Sequence, residues 1–170
     1  MSLIRSILLV AAASLATLPA HAQAPANPLI DYPGFVELAG ELGEYRETRR
    51  LTWDEFAARA RAEGAVLLDA RSERAFAAGH LAGAVNLPFS DFTEETLAQV
   101  LGDDKDRAVY IYCNNNFADD VPPVARKKVE LALNIPTFIN LVGYGYANVW
   151  ELADVVRTDG PGVSWISAAS

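Results

Sequence analysis

The chain alternates short apolar runs with helical segments that carry their own capping residues, and this alternation limits the folds open to it. The runs that predict buried strands cover residues 65–70, 84–87, 108–112 and 137–141, and a first short strand is expected within 45–51. The helical segments cover residues 53–64, 73–78, 94–101, 121–133 and 146–156. Strands and helices that alternate at this spacing form βαβ units. The sequence therefore predicts an α/β fold with a mostly parallel sheet and helices on both faces.

The starts of four helices are marked by residues that accept hydrogen bonds from free backbone N–H groups. Thr52, followed by Glu55 three residues later, has the pattern of a capping box. Ser72 and Thr93 are in the N-cap position of the next two helices, and Asp120 is the expected cap of the helix at 121–133.

The beginning of the chain has the pattern of a secretory signal. Arg5 precedes an apolar core at residues 7–18 that is too short to span a bilayer, and a small-residue cleavage site follows. We expect a signal peptide at residues 1–22, cut after Ala22, and a periplasmic or secreted protein. Beyond it we expect an N-terminal arm at 23–48 with a short helix at 35–42, one domain at 49–160, and a loose tail at 161–170.

The charge balance disfavours several classes of partner. The chain has 14 basic and 22 acidic residues, for a formal net charge of −8. This charge opposes binding to nucleic acids and to anionic membrane surfaces, and it makes a dianionic substrate harder to attract. No later apolar run predicts membrane insertion, and the oligomeric state stays open.

Cys113 is the only cysteine, and it follows directly on the strand predicted at 108–112. The carboxyl end of a buried strand is where α/β proteins usually place their active sites, and the polar residues Asn114, Asn115 and Asn116 come next. We therefore interpret Cys113 as a reactive thiol. The alternative is a small buried hydrophobic residue. Only two histidines are present, so neither a metal nor another cofactor is expected.

Residues 67–88, LLDARSERAFAAGHLAGAVNLP, resemble the signature of the rhodanese-like domain family: a strand, D-x-R, a helix, G-H-I-x-G-A, a second strand and a proline. Residues 110–113 resemble the active-site strand of that family, and residues 140–145 with Trp150 resemble its last strand, glycine turn and helix. The resemblance implies a single rhodanese-like domain with a five-stranded, mostly parallel sheet. It also implies sulfur transfer through a persulfide on Cys113.

The loop after Cys113 departs from the usual family pattern, C-x-x-x-x-R. Ala118 stands in the place of the arginine, and Asp119 and Asp120 follow it. Carboxylates near a thiol raise its pKa, although both residues are also explained by helix capping and solvation. The loop therefore suggests a sulfur donor less charged than thiosulfate.

Several residues near Cys113 are candidates for substrate binding, each with a structural alternative. Asn114, Asn115, Asn116 and Phe117 form the loop, where the amides either donate hydrogen bonds to a sulfur species or shape the turn. Arg71 is either a nearby cation or the structural partner of Asp69, and Tyr144 either forms a pocket wall or packs in the core. Arg126, Lys127 and Lys128 are interpreted as a solvated helix face, and His80 as structural.

Two functions follow from this reading. The first is a sulfurtransferase or persulfide carrier, which takes sulfur from thiosulfate or another small sulfane donor and passes it to a thiol or protein acceptor. The second is a binding module that has lost this chemistry together with the loop arginine, and that recognises a partner protein or a small ligand.

Overall fold

The computed structural model describes residues 27–119 and 124–167. The chain divides into two units, residues 1–31 and 32–170. The described part of the first unit is a turn in which Asn27 accepts hydrogen bonds from the N–H groups of Ile30 and Leu29. The predicted signal peptide and its cleavage site lie outside the described residues, as does Asp120.

The second unit has a five-stranded sheet, all of whose strand pairs are parallel, in the order β1-β6-β5-β2-β4. A two-stranded antiparallel sheet pairs β3 with β7. Along the chain the elements are α1 (Tyr32–Glu47), β1 (Arg50–Leu51), α2 (Trp53–Arg59), β2 (Val66–Asp69), α3 (Glu73–Ala78), β3 (Gly79–Leu81), β4 (Val85–Asn86), α4 (Glu94–Leu101), β5 (Val109–Tyr112), α5 (Asn134–Gly143), β6 (Val149–Leu152) and β7 (Trp165–Ser167).

The parallel sheet separates two apolar cores because its side chains alternate between faces. On one face, Leu68 and Ile111 pack with residues of α4 and α5 such as Leu97 and Phe138. The opposite face carries Leu67, Tyr110 and Tyr112, which pack with Phe56 of α2 and Leu81 of β3. The predicted α/β fold with helices on both faces is thereby confirmed.

The elements predicted between residues 53 and 112 are also confirmed. Strands β2, β4 and β5 and helices α2, α3 and α4 lie within one or a few residues of their expected places. The Ser72 hydroxyl accepts a hydrogen bond from the Ala75 N–H group, and the Thr93 hydroxyl accepts one from Thr96. The Thr52 N–H group donates to the Glu55 carboxylate, as the capping-box pattern predicts.

From residue 124 onwards the predicted elements are wrong, while residues 121–123 lie outside the described part of the chain. Residues 124–133 contain only a 3-10 turn at Val129–Leu131, and the helix is α5, where a strand was expected at 137–141. The strand is β6, where a helix was expected at 146–156. The apolar run at 137–141 fits either a buried strand or a buried helix by its pattern. The topology of the sheet decides in favour of the helix. Strands β5 and β6 are parallel neighbours and therefore need a crossover between them, which α5 provides.

Both ends of the domain are more ordered than the sequence suggests. The 16-residue helix α1 replaces the short helix expected at 35–42, and it also takes up the beginning of the strand expected at 45–51. At the other end, β7 lies in the segment expected to be a loose tail, with Leu81 opposite Trp165 and Gly79 opposite Ser167. The Trp165 ring packs on Phe117 at a centroid distance of 4.9 Å.

The close approach of Gly79 to Trp165 makes a stability prediction. A Cβ atom on Gly79 would lie 2.6 Å from Trp165 Nε1, so Gly79→Ala forces the indole to move. We expect a loss of about 1–3 kcal/mol in the free energy of unfolding, measured by denaturant titration.

Gly40→Ala is the matched control, because Gly40 lies inside α1 with no atom within 4 Å of an added Cβ. It should leave the stability unchanged or raise it by about 0.5–1 kcal/mol. Equal unfolding midpoints for Gly79→Ala and the wild type would contradict the described packing of β7.

Candidate active site

The ends of β2 and β5 meet at one edge of the parallel sheet. The two strands pair in register with Asp69 beside Tyr112, so the residues that follow each strand also lie side by side. They border a cavity of about 710 Å³, to which α3 and the segment 124–133 also contribute. A cleft at the carboxyl ends of parallel strands is the usual ligand site of such sheets.

Cys113 lines this cavity, although only 2% of its surface is exposed. Burial raises the pKa of the thiol, and the nearby carboxylate of Glu151 raises it further, while the backbone N–H groups of Asn115, Asn134 and Leu133 lower it in part. Two of these N–H groups come from the start of α5, where the helix dipole also favours a negative charge. The helix that faces the thiol is therefore α5, and not the helix expected at 121–133.

Asn114 and Asn115 use their side chains to hold the segment 124–128 over the cavity. Asn114 Nδ2 donates to the carbonyl of Ala125 at 3.0 Å, and its Oδ1 accepts from Arg71 at 2.8 Å. Asn115 makes two hydrogen bonds with the backbone of Lys127, at 2.9 and 3.0 Å. Both residues line the cavity, but their amides are engaged in holding the protein together.

Asn116 and Phe117, which were expected at the site, lie beneath it instead of lining it. Asn116 Oδ1 accepts hydrogen bonds from the Cys113 N–H group at 2.9 Å and from Asn134 at 3.0 Å. Phe117 is fully buried, with its ring edge-on to Tyr112 at 6.0 Å and to Trp165. Asn116 therefore fixes the backbone of the cysteine, and Phe117 packs the core.

Arg71 lines the cavity, but it is paired with Asp69, which is the structural alternative given above for this residue. Its guanidinium forms a salt bridge with Asp69 at 2.5 Å and donates to the Gly79 carbonyl at 2.7 Å. Although burial lowers the pKa of Arg71, hydrogen bonding to Asp69 raises it to a net value above the ordinary one. The Tyr112 hydroxyl donates to the same carboxylate at 2.7 Å, so this buried charge is fully paired.

Two other residues, Tyr144 and Asp119, lie away from the places expected for them. Tyr144 ends up at the C-terminal end of α5, beside Phe35 and Leu38 in a separate groove, because residues 134–143 form a helix and not the strand expected at 137–141. Asp119 faces Thr158, which hydrogen-bonds its carboxylate. Burial raises the pKa of Asp119, but the bonds from Thr158 outweigh it and hold that pKa below its usual value. Asp119 is therefore engaged away from the thiol.

His80 has a structural place, as expected from the sequence. Its ring stacks on Phe76 with centroids 3.8 Å apart, and Nδ1 lies 2.8 Å from the Phe76 carbonyl oxygen.

The cavity has cations that the sequence reasoning did not assign to it. Arg74, Arg126 and Lys127 line it together with the paired Arg71, and no Asp or Glu is among the lining residues in the described part of the chain. Arg126 and Lys127 were interpreted as a solvated helix face, because residues 121–133 were expected to be a helix. Residues 124–133 contain no turn-forming Gly, Pro, Asn or Asp, so no local signal in the sequence indicated an irregular segment here.

Two further findings concern residues 27–119 and 124–167. They contain no cluster of three or more His, Cys, Asp or Glu residues that could hold a metal ion. They also contain no helix with the length and hydropathy of a membrane span.

Solved structures resemble the chain at low sequence identity. The Alr3790 protein from Anabaena sp. is 19% identical, with 71% of this chain and 94% of that chain covered and a TM-score of 0.47. The BH2092 protein from Bacillus halodurans is 16% identical, with 71% and 77% covered and a TM-score of 0.43. The rhodanese-like domain of Alr3790 is 21% identical, with 64% and 94% covered and a TM-score of 0.40.

A comparison with curated proteins gives no match. The sequence model of the rhodanese-like domain, in contrast, matches residues 52–153, which is more than half of the chain. The matched region contains five of the seven described strands, β2 to β6, and it contains Cys113. The chain therefore belongs to the rhodanese-like domain family.

Proposed function

We propose that this protein is a sulfurtransferase or persulfide carrier that works through Cys113. One observation carries the proposal: the Cys113 thiol lies at a cavity lined by Arg74, Arg126 and Lys127, with three backbone N–H groups around the sulfur. Such N–H groups stabilise an anion on sulfur without adding a charged side chain. The cavity is also large enough for a small sulfur compound.

The chemistry has two steps that balance with no other reactant. The Cys113 thiolate attacks the outer sulfur of a sulfane donor, the donor's sulfur–sulfur bond breaks, and the leaving group departs with the electron pair, for example as sulfite from thiosulfate. The product is a persulfide anion on Cys113. A thiolate of the acceptor then attacks the outer sulfur, takes it away as a new persulfide, and regenerates the Cys113 thiolate.

The positions of the cations favour an anionic donor, which revises the less charged donor suggested by the loop sequence. Asp119 is engaged by Thr158, whereas Arg74, Arg126 and Lys127 border the cavity. Within a chain of net charge −8, a locally cationic cavity concentrates anions that the rest of the surface repels.

We also propose that the protein acts outside the cytoplasm, because residues 1–22 have the pattern of a secretory signal. In an oxidising compartment an exposed thiol is oxidised or forms mixed disulfides. The almost complete burial of Cys113 supports this setting, since the cavity admits a small donor but shields the sulfur from large partners.

The alternative, a binding module, is favoured by one observation of its own. The pKa of Cys113 is above its ordinary value because of burial, so the thiol is mostly protonated at neutral pH. A cavity with the same cations would then bind a small anion without forming a bond to sulfur.

Sulfur loading separates the two functions. We expect the full chain to gain the mass of one sulfur atom after incubation with thiosulfate, an organic persulfide or polysulfide, and to lose it again on addition of a small thiol. Cys113→Ser should show no gain, because the chain has no other cysteine. Intact-mass spectrometry measures both results. No gain with any donor, combined with slower alkylation of Cys113 in the presence of thiosulfate, would support the binding module instead.

The pH dependence of thiol reactivity follows from the burial of Cys113. A raised pKa means that the thiolate fraction grows with increasing pH and reaches one half above the value of a free thiol, about 8.5. We expect the rates of alkylation and of sulfur loading to rise together with pH and to share one midpoint on the alkaline side of that value. A midpoint below it, measured with a small alkylating reagent, would contradict the described environment of the sulfur.

The cations that line the cavity predict that removing one of them weakens the binding of anionic donors. Lys127→Gln removes a positive charge from the cavity and should raise the KM for thiosulfate about tenfold, the size expected for one charged hydrogen bond. Lys128→Gln is the matched control, because Lys128 is the next residue and does not line the cavity. Equal KM values for the two variants in a steady-state sulfur-transfer assay would show that Lys127 does not contact the donor.

A further inference from the structure

A partly buried ion pair joins Glu151, whose charge acts on Cys113, to a residue outside the matched family region. Arg46 belongs to α1, which precedes residues 52–153, and its guanidinium binds both oxygens of Glu151 in β6. The distances are 2.7 Å from Nε to Oε2 and 2.6 Å from Nη2 to Oε1. The Glu151 side chain is 6% exposed, so without this pair its charge would be left in the core.

Glu151 and Cys113 lie on the same face of the sheet. In the parallel pair of β5 and β6, Glu151 is in register with Ile111, and Cys113 stands two residues after Ile111 in extended conformation. Side chains two residues apart on an extended chain point to the same face. The negative charge of Glu151 accordingly acts on the Cys113 thiol.

Glu151 also binds the start of the helix that faces the sulfur. Asn134 Nδ2 donates to Glu151 Oε1 at 3.3 Å and to Asn116 Oδ1 at 3.0 Å, and Asn116 Oδ1 accepts the Cys113 N–H group as well. These two acceptors fix the orientation of the Asn134 amide. The backbone N–H of Asn134 is in turn one of the groups that stabilise the thiolate.

Glu151 therefore has two opposed effects on Cys113. Through Asn134 it helps to hold the N-terminus of α5 at the sulfur, which favours an anion there. Through its own charge it opposes that anion. The second effect depends on the net charge of the pair, and a cation on the far side of Glu151 weakens it without breaking the bond to Asn134.

We propose that Arg46 is a positioning residue for Cys113, because it offsets part of the charge of Glu151 and so lets this buried carboxylate anchor Asn134 with less opposition to a negative charge on the sulfur. The proposal builds on the nucleophilic role proposed above for Cys113. It assigns to α1, outside the matched region, a part in setting the reactivity of the thiol.

The other charged groups near the sulfur lie on elements other than α1 and β6, so the pair of Arg46 and Glu151 can be varied separately from them. Those around the cavity are Arg71, paired with Asp69, and the lining cations Arg74, Arg126 and Lys127. They come from the residues after β2, from α3 and from the segment 124–133, while Arg46 comes from α1 and Glu151 from β6. Tyr112, whose pKa is raised by burial and by Asp69, stays neutral.

A double-mutant cycle on the full chain tests the proposal. The thiolate fraction is followed from pH 6 to 11 by ultraviolet absorbance, with Cys113→Ser as the blank, and by the rate of alkylation. Arg46→Met should raise the midpoint by about one pH unit, which slows alkylation about tenfold at neutral pH. Glu151→Gln should lower the midpoint below the wild-type value. The double variant should lose the rise caused by Arg46→Met.

The matched control is Arg50→Met, which removes an arginine whose partner is the exposed Glu47, and it should leave the midpoint unchanged. A rise in Arg46→Met that persists in the double variant would mean that Arg46 acts through structure and not through Glu151, and would overturn the proposal. So would a wild-type midpoint in Arg46→Met. If Arg46→Met does not fold, Arg46→Gln takes its place, because it removes the charge but keeps a hydrogen-bond donor for Glu151, and it should raise the midpoint in the same way.

The same measurements separate this inference from the proposed function. Alkylation needs no sulfur donor, so the cycle gives its answer even if the wild type takes up no sulfur. In that case sulfur transfer fails and the role of Arg46 stands. If the wild type takes up sulfur but the midpoints do not move, the role of Arg46 fails and the proposed function stands.

Discussion

The arrangement of the site depends on the side-chain amide of Asn116. It is buried, and it joins three elements: its oxygen accepts hydrogen bonds from the Cys113 N–H group and from Asn134, and its nitrogen donates to the carbonyls of Leu152 and Asp154. The end of β5, the start of α5 and the end of β6 are thus held around one amide. A buried group with four partners is costly to disturb, since each partner left unpaired costs about 1–3 kcal/mol. The N–H groups at the sulfur can stay in place only while this centre is intact.

A second paired network keeps the neighbouring edge of the cavity rigid. Asp69, at the end of β2, receives hydrogen bonds from Arg71 and from the Tyr112 hydroxyl, and that hydroxyl also accepts from the Leu81 N–H group. The two strands on either side of the crevice are therefore linked by side chains as well as by their backbone. The charge of Arg71 is satisfied by Asp69, and the other cations that line the cavity belong to α3 and to the segment 124–133.

The parts of the fold that the sequence predicted correctly are those with local signals. Strands β2 and β5 are short apolar runs, and the helices that follow β1, β2 and β4 have Thr52, Ser72 and Thr93 at their starts. The position of Cys113 at a strand end followed from the same signals. Between residues 121 and 156 the local signals misled, because Pro122 and Pro123 resemble the first turn of a helix and the apolar run at 137–141 resembles a strand.

The wrong order of helix and strand in this region also explains why Arg126 and Lys127 were not assigned to the site and why Tyr144 was. A helix expected at 121–133 puts Arg126 and Lys127 on a solvated face, and a strand expected at 137–141 puts Tyr144 beside the cysteine. With the helix at Asn134–Gly143, the segment before it is free to cross the cavity and Tyr144 moves to the far end of α5. The hydrogen bonds of Asn114 and Asn115 to this segment, and the pairing of Glu151 with Arg46, join residues far apart in sequence and have no local pattern.

The environment of Cys113 balances shelter against reactivity. Burial protects a lone thiol from oxidation but raises its pKa, and a loop arginine at the place of Ala118 is not present to offset this. The offset comes instead from uncharged backbone N–H groups at the sulfur, and in the role proposed above Arg46 adds to it by weakening the field of Glu151. Neutral donors and paired charges can be buried beside sulfur at a lower cost than a free cation, because desolvation penalises unpaired charge most. Such a site shelters the sulfur and still presents backbone N–H groups to a negative charge on it, as the proposed persulfide chemistry requires.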